Sequence, residues 1–343
     1  MSERPFLDVR DLRIHFPTDD GVVRSVDGLT FSLERGRTLG IVGESGSGKS
    51  VSSLGIMGLH QGTKARISGE IWLDGDELVG ATPDFVRRLR GRKMAMIFQD
   101  PLSSMHPYYK VGAQIVEAYR LYNDVSKKAA RAHAIDLLGR VGIPDPKRRV
   151  DDYPHQFSGG MRQRAMIAMA LACDPELLIA DEPTTALDVT VQAEILDLIR
   201  SLQSEFGSAV IMITHDLGVI AEVADDVLVM YAGKAVEHAS SQDIFKRPEH
   251  PYTWGLLSSM PRLDRDRQDR LIPVKGSPPS LISLPPGCSF NPRCPYCALT
   301  DGLAVTEVPA LLPVAPGSEH KSACHLPSEK RRQIWTEEVA PKL

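Results

Sequence analysis

Gly43-Glu44-Ser45-Gly46-Ser47-Gly48-Lys49-Ser50 is the stretch on which the reading of the fold turns. It fits G-x-x-x-x-G-K-[ST] at every fixed position. The short apolar run Thr38 to Val42 precedes it and predicts a buried strand, and Ser50 to Leu59 predicts a helix. Strand, glycine-rich loop and helix, in that order, are the context a phosphate loop needs. The glycines let backbone N–H groups turn toward an anion, and the helix presents its positive end to the same anion. Lys49 would reach the β- and γ-phosphates and the Ser50 hydroxyl would ligate Mg²⁺, so the loop is expected to hold Mg-ATP.

Working outward, Leu177-Leu178-Ile179-Ala180-Asp181-Glu182 reads as an apolar strand ending in two carboxylates. Asp181 suits the Mg²⁺ shell and Glu182 the general base that polarises the attacking water. Gln99, in Ile97-Phe98-Gln99-Asp100, ends another apolar strand, and its amide could touch both Mg²⁺ and the water. His215, in Ile213-Thr214-His215-Asp216, ends a third, where its imidazole could reach the γ-phosphate. Enzymes with parallel sheets bind ligands at the carboxyl ends of strands, and four such ends here carry polar functional groups.

The flanking segments fit that picture. Phe6 to Phe16 and Val22 to Leu33 alternate as strands about a turn at Thr18-Asp19-Asp20-Gly21. Val111 to Tyr122, Lys127 to Val141, a long segment from Ser158, and Gln192 to Phe206 carry helical periods, with a break from Pro144 to Pro154. Ala209 to Thr214 reads as a buried strand, and Asp226 to Tyr231 with Lys234 to Glu237 as a hairpin about Ala232-Gly233. Strands alternating with helices imply a largely parallel sheet.

The 343 residues suit a core of about 230–260 residues plus an appendage. With 42% hydrophobic and 24% charged residues the chain is composed as a globular protein. A net charge of −4 gives no support for nucleic-acid binding driven by counterion release. Met1 to Arg10 shows no signal peptide, and no apolar run approaches the roughly 18 residues of a bilayer span. Prolines cluster after about residue 240, from Pro248 to Pro295, and Pro261 and Pro273 belong to that cluster. Of five cysteines, Cys173 reads as a buried core thiol, while Cys288, Cys294, Cys297 and Cys324 have the spacing C-x5-C-x2-C-x26-C. Four thiolates can hold zinc or a [4Fe–4S] cluster, although the x5 gap is wide for a zinc ribbon. Free thiols are the third possibility at this point.

Phe157-Ser158-Gly159-Gly160-Met161-Arg162-Gln163-Arg164 resembles the signature motif of ATP-binding cassette (ABC) proteins. Together with Gly43–Ser50, Gln99, Asp181-Glu182, Ala186-Leu187-Asp188 and His215 it follows that family's motif order over about residues 6–240. The resemblance implies an α/β fold of the ABC type of P-loop NTPase: a RecA-like parallel sheet core, an antiparallel β subdomain and a helical subdomain at about residues 103–175. A small irregular cysteine-containing extension would follow. It implies that Ser158, Gly159 and Gly160 close over ATP held by the loop of an opposite subunit, with Asp188 crossing the interface. Phe16 is the candidate for the aromatic that stacks on adenine, with a core role as its alternative, and Val51 extends the loop contacts. The sequence departs from the commonest Leu-Ser-Gly-Gly-Gln form at Phe157 and Met161 but keeps the serine and both glycines.

His250-Pro251-Tyr252-Thr253 and the cysteine group resemble the C-terminal extension of ATP-binding subunits of dipeptide, oligopeptide and nickel importers, and Phe157 with Met161 resembles their D-type subunit. The change of composition after about residue 240 predicts a domain boundary near 240–265, hence domains at 1–245 and 246–343, and the resemblance implies a [4Fe–4S] cluster on Cys288, Cys294, Cys297 and Cys324, with zinc as the alternative. It also implies ATP hydrolysis driving peptide uptake from the cytoplasmic face of a bacterial inner membrane. The partners would be two transmembrane permease subunits, a second ATPase of F type and an extracytoplasmic substrate-binding protein, with no nucleic acid. The alternative functions are import of nickel, glutathione or another small solute, and a soluble ABC ATPase acting on nucleic acid or ribosomes.

Overall fold

The computed structural model describes residues 4–185, 187–260 and 274–342. The first residues of the segment scanned for a signal peptide, Ala186 of the Ala-Leu-Asp motif, and Pro261 and Pro273 of the proline cluster lie outside the described residues. The chain divides into two compact units, one formed by Met1–Leu33, Thr38–Val79 and Thr214–Leu343, the other by Glu34–Arg37 and Gly80–Ile213.

The first unit opens with β1 (Leu7–Thr18) and β2 (Gly21–Leu33), antiparallel, their turn closed by Thr18 Oγ1 donating to the Gly21 carbonyl at 2.8 Å. Leu7 and Val9, and beyond a bulge at Asp11 (φ 45°) that shifts the register, Leu12 and Ile14 of β1 are fully buried, forming the inward face of a half-covered sheet. The entirely buried β3 (Thr38–Val42) feeds the glycine-rich loop, and α1 (Lys49–Ile56) leaves it. The strands β4 (Arg66–Leu73) and β5 (Asp76–Glu77) complete a four-stranded antiparallel sheet in the order β2-β1-β4-β5.

The second unit begins with α2 (Pro83–Leu89), capped by Thr82, and β6 (Met94–Ile97). A helical region follows: α3 (Pro101–Ser104), α4 (Val111–Tyr122), α5 (Lys127–Arg140), α6 (Pro146–Arg149) and α7 (Gly159–Ala170). Val111 and Ile115 of α4, Ala134 and Leu138 of α5, and Ala165 and Met166 of α7 are buried where these three helices pack. Then come β7 (Leu177–Asp181), α8 (Val189–Phe206) and β8 (Ala209–Thr214). The strands β6, β7 and β8 run parallel and are buried along their whole length, as strands covered on both faces must be.

Returning to the first unit, α9 (Leu217–Val223) leads to β9 (Asp226–Tyr231), which lies parallel to β3, and to β10 (Lys234–Ser240), antiparallel to β9. The extension adds α10 (Ser241–Lys246), α11 (Pro251–Ser258), α12 (Leu303–Thr306), β11 (Leu312–Pro313), β12 (Lys321–Ser322) and α13 (Ser328–Ile334). Its strand β12 pairs with β10 and carries β11 on its far side.

Two local expectations change. The break at Pro144 to Pro154 contains the short α6, started by Asp145 in a left-handed conformation (φ 51°) and by Pro146 at the first helical position. The helix after Ser158 is 12 residues long, with Leu171 as its C-cap. In the tail, where the prolines cluster, Pro251 starts α11 behind a His250 cap.

Candidate nucleotide site and cysteine-lined cavity

The phosphate loop owes its shape to two close approaches. At Gly43 (φ 154°) a Cβ would stand 2.2 Å from the Met230 carbonyl oxygen, and at Gly48 (φ 102°) it would stand 2.2 Å from that of Ser25. Only glycine fits between the loop and the backbones of β9 and β2. The Gly233 N–H donates to the Ser47 carbonyl at 3.0 Å, tying the loop to the hairpin turn. Lys49, 6% exposed, donates through Nζ to the Gly43 carbonyl at 2.7 Å and the Glu44 carbonyl at 3.0 Å. Its ammonium is thus held inside the curl of the loop. Ser45 and Gly46 are exposed at the tip, and Ser47 Oγ is buried with no hydrogen-bond partner among the described residues. Ser50 and Val51 sit in the first turn of α1.

In the second unit, Asp181 is the last residue of β7 and is buried. Glu182 follows in the left-handed region (φ 48°), its N–H donating to the Ile213 carbonyl at 2.8 Å. The Glu182 carboxylate accepts from Gln99 Nε2 at 2.8 Å and from Thr185 Oγ1 at 2.9 Å. Gln99 lies two residues beyond the end of β6 and is exposed. A carboxylate, an amide and a hydroxyl therefore meet at the carboxyl ends of two parallel strands. Thr185 was not legible as a member of that group from sequence. The signature residues Ser158 and Gly159 are exposed, and the Ser158 hydroxyl caps α7 by accepting from the Met161 N–H at 3.2 Å. Phe157 is 3% exposed, so this departure from the common signature is a core residue. Asp188 caps α8 by accepting from the Val191 N–H at 3.0 Å and is exposed.

Within the first unit, His215 is exposed immediately beyond β8. Phe16 lies within β1, paired with Val23, two residues before the strand's end; its half-buried ring stands edge-on to His60 at 5.3 Å.

Cys288, Cys294, Cys297 and Cys324 line one cavity of about 20 Å³, walled by Phe290, Ala304 and Leu326. Burial pushes the Cys288 thiol up, the Cys294 thiol up to about 12 and the Cys324 thiol up to about 11, with the neighbouring cysteines adding to the rise. Four thiols facing one apolar space fit a soft-metal site by their donor chemistry. The cavity has room for little more than a water, and no group of three or more His, Cys, Asp or Glu among the described residues is set to hold a metal ion. Cys173 is half-buried and donates to the Ala118 carbonyl at 3.7 Å, as a structural thiol does.

The ABC transporter family matches residues 26–185, and the family described as the C-terminal region of oligopeptide/dipeptide transporters matches residues 236–298. The chain is 51% identical over 290 residues to the oligopeptide transport ATP-binding protein OppD of Salmonella typhimurium, covering 84% of this chain and 86% of that protein. It is 52% identical over 290 residues to the dipeptide transport ATP-binding protein DppD of Bacillus subtilis, with the same coverage. Among solved structures, the cassette cbiO1 from Clostridium perfringens matches with a TM-score of 0.61 and 26% identity over 71% of this chain and 92% of that one. A dimeric cassette, MJ0796, bound to ADP and Pi matches in fold with a TM-score of 0.62 over 68% of this chain and 98% of that one. The fold and these matches define an ABC-type ATPase. The chain belongs to the ABC transporter ATP-binding proteins, in the oligopeptide/dipeptide branch. It hydrolyses ATP to ADP and phosphate.

Proposed function

We propose that this chain energises uptake of dipeptides or oligopeptides through separate membrane subunits. The observation that carries the reading is 50–52% identity to OppD and DppD proteins over most of the chain, together with the matching extension. No helix among the described residues is long and apolar enough to cross a membrane, which suits a peripheral motor on the cytoplasmic face bound to two permease subunits. A second ATPase, of F type, would supply the opposite half of each site, and an extracytoplasmic binding protein would deliver the peptide.

In this reading the loop amides of Gly43–Ser50 and Val51 cradle the phosphates, with Lys49 on the β- and γ-phosphates. Ser50, Asp181 and Gln99 are the residues that would hold Mg²⁺, which when bound would supply positive charge to the phosphate oxygens. Glu182, held by Gln99 and Thr185, takes a proton from the attacking water. His215 contacts the γ-phosphate and Phe16 faces the adenine. The N-terminus of α7, with Ser158 and Gly159 exposed and Gly160 half-buried, supplies an anion site to the partner's nucleotide, and Asp188 crosses to the partner. Domains at 1–245 and 246–343 accord with the tail's separate family match.

Cys288, Cys294, Cys297 and Cys324 would hold a [4Fe–4S] cluster, which when bound staples the proline-rich extension. Anaerobically purified protein is expected to be brown and to contain iron and acid-labile sulfide; a colourless preparation with stoichiometric zinc would overturn the assignment. The transport reading is tested by reconstituting the chain with its membrane subunits and following labelled dipeptides, oligopeptides, nickel and glutathione. ATP-dependent accumulation of peptide supports it. Accumulation of nickel or glutathione alone would overturn it.

A further inference from the structure

Two side chains of the extension reach the phosphate loop. Tyr252 of α11 is fully buried, and its Oη accepts from the Glu44 N–H at 2.8 Å. Arg293, its side chain 4% exposed, grips the Glu44 carboxylate with two bonds: Nη1 to Oε2 at 2.6 Å and Nη2 to Oε1 at 3.0 Å.

Arg293 is itself aimed. Its Nε donates to the Lys275 carbonyl at 2.9 Å and its Nη2 to the Val274 and Gly276 carbonyls at 3.2 Å each. Nη1 also reaches Tyr231 Oη at 3.3 Å, and the guanidinium lies 5.7 Å and 5.9 Å from the Tyr231 and Phe290 ring centres. It stands on a single 3-10 turn, Asn291–Arg293, between Cys288 and Cys294. A planar fork committed on so many sides is preorganised for its carboxylate.

Glu44 is the second residue of the loop, and its carbonyl shares the Lys49 ammonium with that of Gly43. An unpaired carboxylate at this point would oppose a triphosphate, since like charges at close range repel most where water is thin. We propose that Arg293 and Tyr252 are positioning residues for nucleotide binding: Arg293 neutralises Glu44 beside the phosphates, and Tyr252 fixes the Glu44 peptide. The proposal rests on the reading of Gly43–Ser50 as the nucleotide site.

The test is calorimetric binding of Mg-ATP and ADP to the full chain. Arg293→Gln is expected to bind about tenfold more weakly, with Arg293→Lys in between. Glu44→Gln combined with Arg293→Gln is expected to recover most of the loss, because the uncompensated charge is then gone. A merely structural role for Arg293 would show no such recovery. Tyr252→Phe removes only the Oη acceptor and is expected to weaken binding a few-fold, with the thermal midpoint measured alongside. Unchanged affinity in Arg293→Gln, or a loss that Glu44→Gln leaves in place, would overturn the charge role. Unchanged affinity in Tyr252→Phe would overturn the second part. The underlying reading fails separately, if wild type binds no nucleotide or Lys49→Ala binds as wild type does.

Discussion

Glu182 occupies backbone space that costs a non-glycine residue roughly 1–3 kcal/mol, and its surroundings hold it there. The Ile213 carbonyl takes its N–H, while Gln99 and Thr185 hold its carboxylate. That arrangement points one carboxylate at one place. Glu182→Gln is expected to lower ATP turnover by about 10²–10⁴-fold while leaving ATP bound, as phosphate release against retained nucleotide would show. Turnover at the wild-type rate would remove Glu182 from the role of base. Asp181-Glu182 and Gly43–Ser50 were readable because each motif is local: the spacing and the neighbouring strand are printed side by side. Thr185, Tyr252 and Arg293 were not, because each matters only through a partner the chain brings in by folding. For Arg293 and Glu44 the separation is 249 residues, and no periodicity links positions so far apart.

At the scale of elements, β10 carries the extension's anchor. Glu237 is fully buried and accepts from the Glu249 and His250 N–H groups, the Thr253 hydroxyl and His320 Nε2. Four donors on one carboxylate join β10, the start of α11 and the segment before β12. Glu237→Ala leaves those donors buried and unmet, with an expected cost of about 3–5 kcal/mol read by denaturant unfolding. Next to it, His238 pairs with Lys321 across β10 and β12. Burial first, then the charges of Lys321 and His320, lower its pKa from the usual 6.5 to about 4. The folded state therefore keeps this imidazole neutral, and the unfolded chain takes up its proton first as pH falls. Its contribution is fully present above about pH 6.5 and drains away between there and about pH 4. His238→Gln is expected to flatten that part of the stability profile; an unchanged profile would show the histidine to be a bystander. Helices such as α4, Val111–Tyr122, were legible from their period alone. Those of the extension are too short to show a period, and α11 begins at a proline, whose missing N–H costs nothing at the first helical position.

For the whole molecule, the surface proposed to meet a second cassette is exposed. The N-terminus of α7 and Asp188 face solvent, and Val189 is 84% exposed. A Cβ at Gly159 would meet nothing within 4 Å, so a larger side chain there fits this chain and obstructs only a partner. Gly159→Gln is expected to leave nucleotide binding to the isolated chain intact while abolishing ATP-dependent association with a second cassette. Size-exclusion chromatography of the Glu182→Gln background with ATP checks this; association that survives the substitution would place the interface elsewhere. The link between Glu44 and Arg293 has a consequence in time. Glu44 is added to the growing chain 249 residues before its guanidinium partner. At 5–20 residues per second the interval is roughly 12–50 s. For that period the nascent chain holds the loop without the clamp proposed for it, which is complete only once Arg293 has been made.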